Sequence, residues 1–140
     1  SVGRLINAFM SRFPGVRSFL QDAPAEAQRR GAVATVLGRL RHLPDIHSSD
    51  ASRRAQASRQ AVNSVVQGSA SDVMKLAQVH LQQRIDAAAA DAWGGAPPPR
   101  MLLQIHDELL LDCPGPAGGA CVARLMDMVR EVMRHVEARL

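Results

Sequence analysis

The chain has 140 residues, 46% of them apolar, with a formal charge of +4 and a pI near 10.4. That is room for one modest domain around one hydrophobic core, and the apolar content excludes a disordered tail. No run reaches the roughly 18 apolar residues of a membrane span, and no charged start followed by an apolar core and cleavage site opens the chain, so a soluble protein with no membrane partner is expected.

In chain order, Leu5, Ile6, Phe9, Met10 and Phe13, then Val16, Phe19 and Leu20, recur at helical spacing on either side of Pro14-Gly15, which predicts two short helices. Gly31 closes the second. Val33, Thr35, Val36 and Leu37 run into Gly38 and return through Leu40 and Leu43, the pattern of a β-hairpin. Pro44 to Asp50 is turn chemistry, with Ser48, Ser49 or Asp50 available to cap a long helix from Ala51 to about Ala90. Val62, Val65, Val66 and Gly68 weaken that helix locally, and a kink or break is expected there.

Residues 91–99, with Gly94-Gly95 and three consecutive prolines, read as a variable Gly/Pro loop. Met101–Ile105 and Leu109–Cys113 are apolar runs joined by His106-Asp107-Glu108, which predicts a second hairpin with a polar tip on a buried support. Val122, Leu125, Met126, Val129, Val132, Met133 and Val136 mark a core-facing helix that continues to the terminus. Cys113 and Cys121 lie eight apart with no CxxC pair, which defines neither a disulfide framework nor a zinc site; both read as reduced, small apolar residues. The expected fold class is α+β, mainly helical with two antiparallel β-hairpins, in a single partial domain.

Three features carry chemistry. The adjacent acids Asp107 and Glu108 are hard oxygen ligands suited to Mg²⁺, which there could hold a phosphate and lower the pKa of an attacking hydroxyl; an ordinary exposed turn is the competing reading. Arg59, Asn63 and Gln67, spaced i, i+4, i+8, form one stripe of donors on a helix, matched to the acceptors of the DNA minor groove, where a solvated helix face is the alternative. Sixteen of the 17 basic residues are arginine, and seven of these lie between Arg29 and Arg59 against only Asp45 and Asp50. That bias fits a polyanion partner, or else a solvated arginine-rich face.

Phe13-Pro14-Gly15-Val16, Gly38 to Ile46, Arg59 through Asn63 and Gln67 to Asp72, and Gln104-Ile105-His106-Asp107-Glu108-Leu109 occur in this order, and the chain that carries them resembles the family A DNA polymerases. The wording of residues 65–72 looks closer to the eukaryotic theta and nu branch than to bacterial polymerase I. The resemblance implies part of a palm and the base of the fingers, in a polymerase that adds deoxynucleoside triphosphates to a primer-template with two Mg²⁺ ions. It makes Asp107 the palm metal carboxylate and Glu108 an acidic helper, with Gln104 and His106 facing the primer end. Arg59, Asn63 and Gln67 would contact the minor groove and Arg53 and Arg54 the phosphates, while Asp72 could be structural or functional. It also implies that the first metal aspartate and the nucleotide-gripping helix precede Ser1, so that this stretch depends on an N-terminal part and is inactive alone. Ser58 stands where many relatives carry glutamate, and Leu140 falls short of the family's closing strand. The compartment would be nuclear on the theta and nu branch, otherwise a bacterial cytoplasm or an organelle. The rival function is a DNA-binding or assembly module that has kept the duplex-reading face without the chemistry.

Overall fold

A computed structural model describes residues 2–115 and 119–137. The chain divides into two compact units, Ser1–Asp72 and Val73–Leu140. It is mainly helical, with two separate two-stranded antiparallel sheets.

In the first unit, helices α1 (Val2–Arg12) and α2 (Pro14–Arg30) flank Phe13, with Pro14 at the start of α2, where a missing N–H costs nothing. Their apolar stripe is largely uncovered: α1 buries no residue, and Leu5, Ile6, Phe9, Phe13, Val16 and Leu20 are all exposed. Gly31 ends α2 at φ 68°, a left-handed cap whose N–H bonds the Ala27 carbonyl. The chain then turns into strands β1 (Ala32–Ala34) and β2 (Leu40–His42), paired in the register Ala32↔His42, Val33↔Arg41 and Ala34↔Leu40. Gly38, at φ 83°, makes the reversal. A 3-10 turn over Pro44–His47 buries Ile46, and Asp50 Oδ1 accepts the N–H groups of Ser52 (2.7 Å) and Arg53 (3.3 Å), which selects Asp50 as the cap of the next helix.

That helix, α3 (Ala51–Ala87), runs unbroken through residues 62–68, where a kink was expected. Val65 packs against a core of Ala27, Val33, Leu43, Ile46, Ala57 and Ala61, and this packing outweighs the weak propensity of valine. Gly68 has a different role. A Cβ there would sit 2.8 Å from Thr35 Cγ2, so the missing side chain is what lets the hairpin lie against the helix. One turn on, the buried Asp72 carboxylate accepts hydrogen bonds from Thr35 Oγ1 (2.6 Å) and Arg39 Nε (2.7 Å). Ser69 Oγ accepts the Val36 N–H at 2.9 Å and donates to the Val65 carbonyl. Asp72 is therefore a structural anchor, clamping the hairpin loop to α3.

In the second unit, Ala77, Leu81 and Ile85 of α3 meet Leu125, Met128, Val132 and Val136 of α4 (Ala120–Glu137), with Trp93 completing the cluster. Met128 is buried whereas Met126 and Met133 are exposed, so the buried row of α4 lies slightly around the helix from the row predicted. The continuation of that helix over residues 138–140 lies outside the described residues. The Gly/Pro loop is more ordered than its composition suggests. Ala90–Trp93 is a 3-10 turn closed by Gly94 at φ 66°, and both Trp93 and Pro99 are buried. Trp93 is held by its apolar surface and by the Arg124 guanidinium, 5.6 Å from the ring centroid, while its Nε1–H is buried without a partner among the described residues.

Gly68→Ala tests the close approach. In a helix interior alanine is worth about 1 kcal/mol over glycine. Here the added methyl meets a Thr35 side chain held by two hydrogen bonds, so the change should instead destabilise by about 1–2 kcal/mol in urea unfolding. Adding Thr35→Ser, which removes only the clashing methyl, should restore most of the loss.

Candidate functional site

The second hairpin joins β3 (Arg100–Ile105) to β4 (Glu108–Asp112), with Ile105 paired to Glu108, so His106 and Asp107 alone make the turn. His106 sits at φ 54°, the one non-glycine residue at positive φ among those described. Two-residue hairpin turns need positive φ, and glycine or asparagine usually supplies it; holding another side chain there costs on the order of 1–3 kcal/mol.

A bulge at Leu102 sets which side chains point where. The register passes from Met101↔Leu111 to Leu103↔Leu110, skipping Leu102, and continues with Gln104↔Leu109. Side chains alternate along a strand, so without the bulge Gln104 would point away from Met101; with it the two share a face. On that face Met101, Leu109 and Leu111 pack on the core. Gln104 there accepts a hydrogen bond from Gln78 Nε2 of α3 at 2.7 Å and donates from its own Nε2 to the His106 carbonyl at 2.8 Å. Gln78, Gln104 and the turn are thus one chain of hydrogen bonds. Gln78 carried no sequence signal, because its relevance depends on the bulge.

The other face corrects the expectation of a buried support: Leu102, Leu103, Ile105 and Leu110 are all about half exposed. A two-stranded ribbon has one face covered by its own unit and one left open. Glu108 shares this open face and Asp107 stands at the turn, both exposed, and neither carboxylate has a hydrogen-bond or ion-pair partner among the described residues. Such a pair has the charge and the free oxygens to take a hard cation. No group of three or more acids, histidines or cysteines able to hold a metal is present among the described residues, so the pair is at most one edge of a metal site.

The remaining candidates lie on α3 in the first unit. Arg59, Asn63 and Gln67 are exposed and have no side-chain partners among the described residues. At 100° per residue their stripe is centred roughly opposite the row of Ala57, Ala61, Val65 and Asp72 that faces the hairpin and core. Arg54 Nη1 is occupied by the carbonyls of Ser48 (2.6 Å) and Ser49 (2.8 Å), and Arg53 lies 3.9 Å from Asp45. The arginine cluster is also less free than its count implied. Arg29 and Arg30 both pair with Glu26 and Arg39 with Asp72, leaving Arg41 and Arg59 without such partners among the described residues.

The first unit thus offers an exposed polar stripe on α3, and the second an acidic turn braced through Gln104 to Gln78. The sequence model of DNA polymerase family A matches residues 2–140, and the chain belongs to that family. It is 42% identical over 131 residues to the thermostable DNA polymerase I of Thermus aquaticus, covering 94% of this chain and 14% of the relative. It is 38% identical over 130 residues to DNA polymerase I of Bacillus caldotenax, covering 93% and 14%. The solved structure of the POL domain of Pol1 from M. smegmatis, in complex with DNA primer-template and dNTP, is similar at a TM-score of 0.79 and 37% identity, over 94% of this chain and 21% of that one. The chain thus spans about one seventh of the length of these curated relatives. These relatives are bacterial polymerases I, and they lend no support to the likeness of residues 65–72 to the theta and nu branch. Among the described residues no helix is long and apolar enough to cross a membrane.

The strain at His106 predicts a stability order. His106→Gly relieves the left-handed cost of about 1–3 kcal/mol against a glycine entropy cost of about 0.5–1 kcal/mol, so it should be at least as stable as wild type in denaturant unfolding. His106→Val, β-branched, should be less stable by about 1–2 kcal/mol. A valine variant as stable as wild type would mean that the turn does not impose this φ.

Proposed function

We propose that the protein carrying this chain is a DNA-directed DNA polymerase, and that the hairpin tip forms one carboxylate edge of its nucleotidyl-transfer site. The observation that carries this is the pair of unengaged carboxylates, Asp107 and Glu108, held at a strained two-residue turn in a chain of family A. Relatives named DNA polymerase I, and a similar POL domain in complex with primer-template and dNTP, support it.

The substrates are then a primer-template and deoxynucleoside triphosphates, and the reaction is in-line attack of the primer 3′-hydroxyl on the α-phosphate. Asp107 and Glu108 fit Mg²⁺ by donor chemistry, and two such ions when bound would lower the pKa of the attacking hydroxyl and offset charge on the phosphate. Asp107 holds the metal edge and Glu108 adds negative charge beside it. Adjacent residues on one hairpin cannot surround two ions about 4 Å apart, so a further carboxylate must converge from another strand of the protein. For that reason residues 1–140 alone should extend no primer. Gln104 and His106 set the position of the turn at the primer end, with Gln104 bonded to both Gln78 and the turn. Arg59, Asn63 and Gln67 donate to minor-groove acceptors that are nearly the same for every base pair, monitoring duplex shape rather than sequence. Arg53 and Arg54 neutralise backbone phosphates beside them.

In the polymerase, Asp107→Asn keeps size and removes charge. Primer extension should fall by roughly 10²–10³-fold, the scale of losing one electrostatic stabiliser, while primer-template affinity holds. Glu108→Gln should be milder. Near-normal turnover by Asp107→Asn would remove the tip from the chemistry. For the phosphate contacts, log affinity against log salt should become shallower by about 0.9 for each arginine lost in Arg53→Ala and Arg54→Ala, and an unchanged slope would place that residue outside the footprint.

A further inference from the structure

The cysteines have no part in that chemistry, yet the fold brings them together. Cys113 directly follows β4 and Cys121 lies in the first turn of α4, and their Sγ atoms are 2.8 Å apart. Both thiols are free and half-buried, packed against the core of the second unit. A disulfide bond is about 2.05 Å long, so the two sulfurs need to close by less than about 1 Å. Two cysteines that were only small apolar fillers would have no reason to turn their sulfurs toward each other.

We propose that Cys113 and Cys121 form a reversible dithiol–disulfide site, closed by exchange with a small-molecule disulfide, that staples the end of β4 to the start of α4. Burial, and then the hydrogen bond to Cys121 and the charges of Cys121 and Asp112, push the Cys113 thiol up to about 11. Cys113 therefore keeps its proton at neutral pH and Cys121 makes the opening attack. The Cys121 sulfur displaces one thiolate from the small disulfide, giving a mixed disulfide. Cys113 then attacks the Cys121 sulfur, and its proton leaves with the second thiol. Both cysteines are oxidised, and the small disulfide is reduced to two thiols. The staple links residues eight apart in sequence and restricts the unfolded chain, so the oxidised form unfolds at a higher temperature.

The experiment is a peptide map of the full polymerase after treatment with oxidised glutathione, acid quenching, denaturation and alkylation. Trypsin cuts after Arg100 and Arg124 and nowhere between, so both cysteines fall in one peptide, Met101–Arg124. That peptide should be recovered unalkylated and two hydrogens lighter than its reduced form, and should become doubly alkylated after treatment with a dithiol reductant. Cys113→Ser should instead leave Cys121 carrying one glutathione. A wild-type peptide that is doubly alkylated, doubly glutathionylated or joined to a second chain would overturn the proposal, as would an oxidised protein that melts below the reduced one.

Discussion

Helix α3 is the constraint on which both units depend, because one continuous helix has to bury different things at its two ends. Toward its start the positions facing the core and hairpin are small: buried Ala57 and Ala61, and half-buried Gly68, let a hairpin and a 3-10 turn come close. Toward its end they are large, and Leu81 and Ile85 fill a core with Trp93 and α4. The hairpin side is closed by Asp72, whose buried charge is tolerated because Thr35 and Arg39 both donate to it. Such a pair is better regarded as a device for register than as a large source of stability, since half of the Arg39 side chain remains in water.

The same economy shapes the acidic hairpin. A tight turn would more cheaply carry glycine; keeping His106 there, and bracing its carbonyl through Gln104 to Gln78, spends stability on a fixed position for Asp107 and Glu108. The bulge at Leu102 makes that brace possible by turning Gln104 toward α3. It also leaves Leu103, Ile105 and Leu110 on the open face beside Glu108, so the acid edge stands on apolar ground rather than in a polar cleft.

Local chemistry made much of this legible in advance. Gly31 and Gly38 mark a helix end and a reversal, Ser48, Ser49 and Asp50 offer a cap, and the break between two leucine-rich runs marks an acidic tip. What escaped depended on contacts distant in sequence. Gly68 weakens a helix by propensity but is required by Thr35 against it, and Gln78 matters only because the bulge faces Gln104 toward it. Trp93 lay in a stretch whose glycines and prolines suggested an irregular loop, but its large apolar surface anchors that stretch in the core. The apolar run of β3 suggests a buried support, yet Leu102, Leu103 and Ile105 are exposed, because an apolar run in sequence does not say what covers it. The branch likeness rests on eight residues and gains no support from the relatives that match along most of the chain.

On the proposed function, the tip of the β3–β4 hairpin would hold metal at the reacting phosphate. A crystal structure of the polymerase bound to primer-template, incoming nucleotide and Mg²⁺ tests it most directly. A carboxylate oxygen of Asp107 should lie about 2.1 Å from an Mg²⁺ ion that also contacts the α-phosphate, with Gln104 still bonded to the His106 carbonyl. Ions at the α-phosphate held entirely by other residues, with Asp107 turned to solvent, would contradict the account.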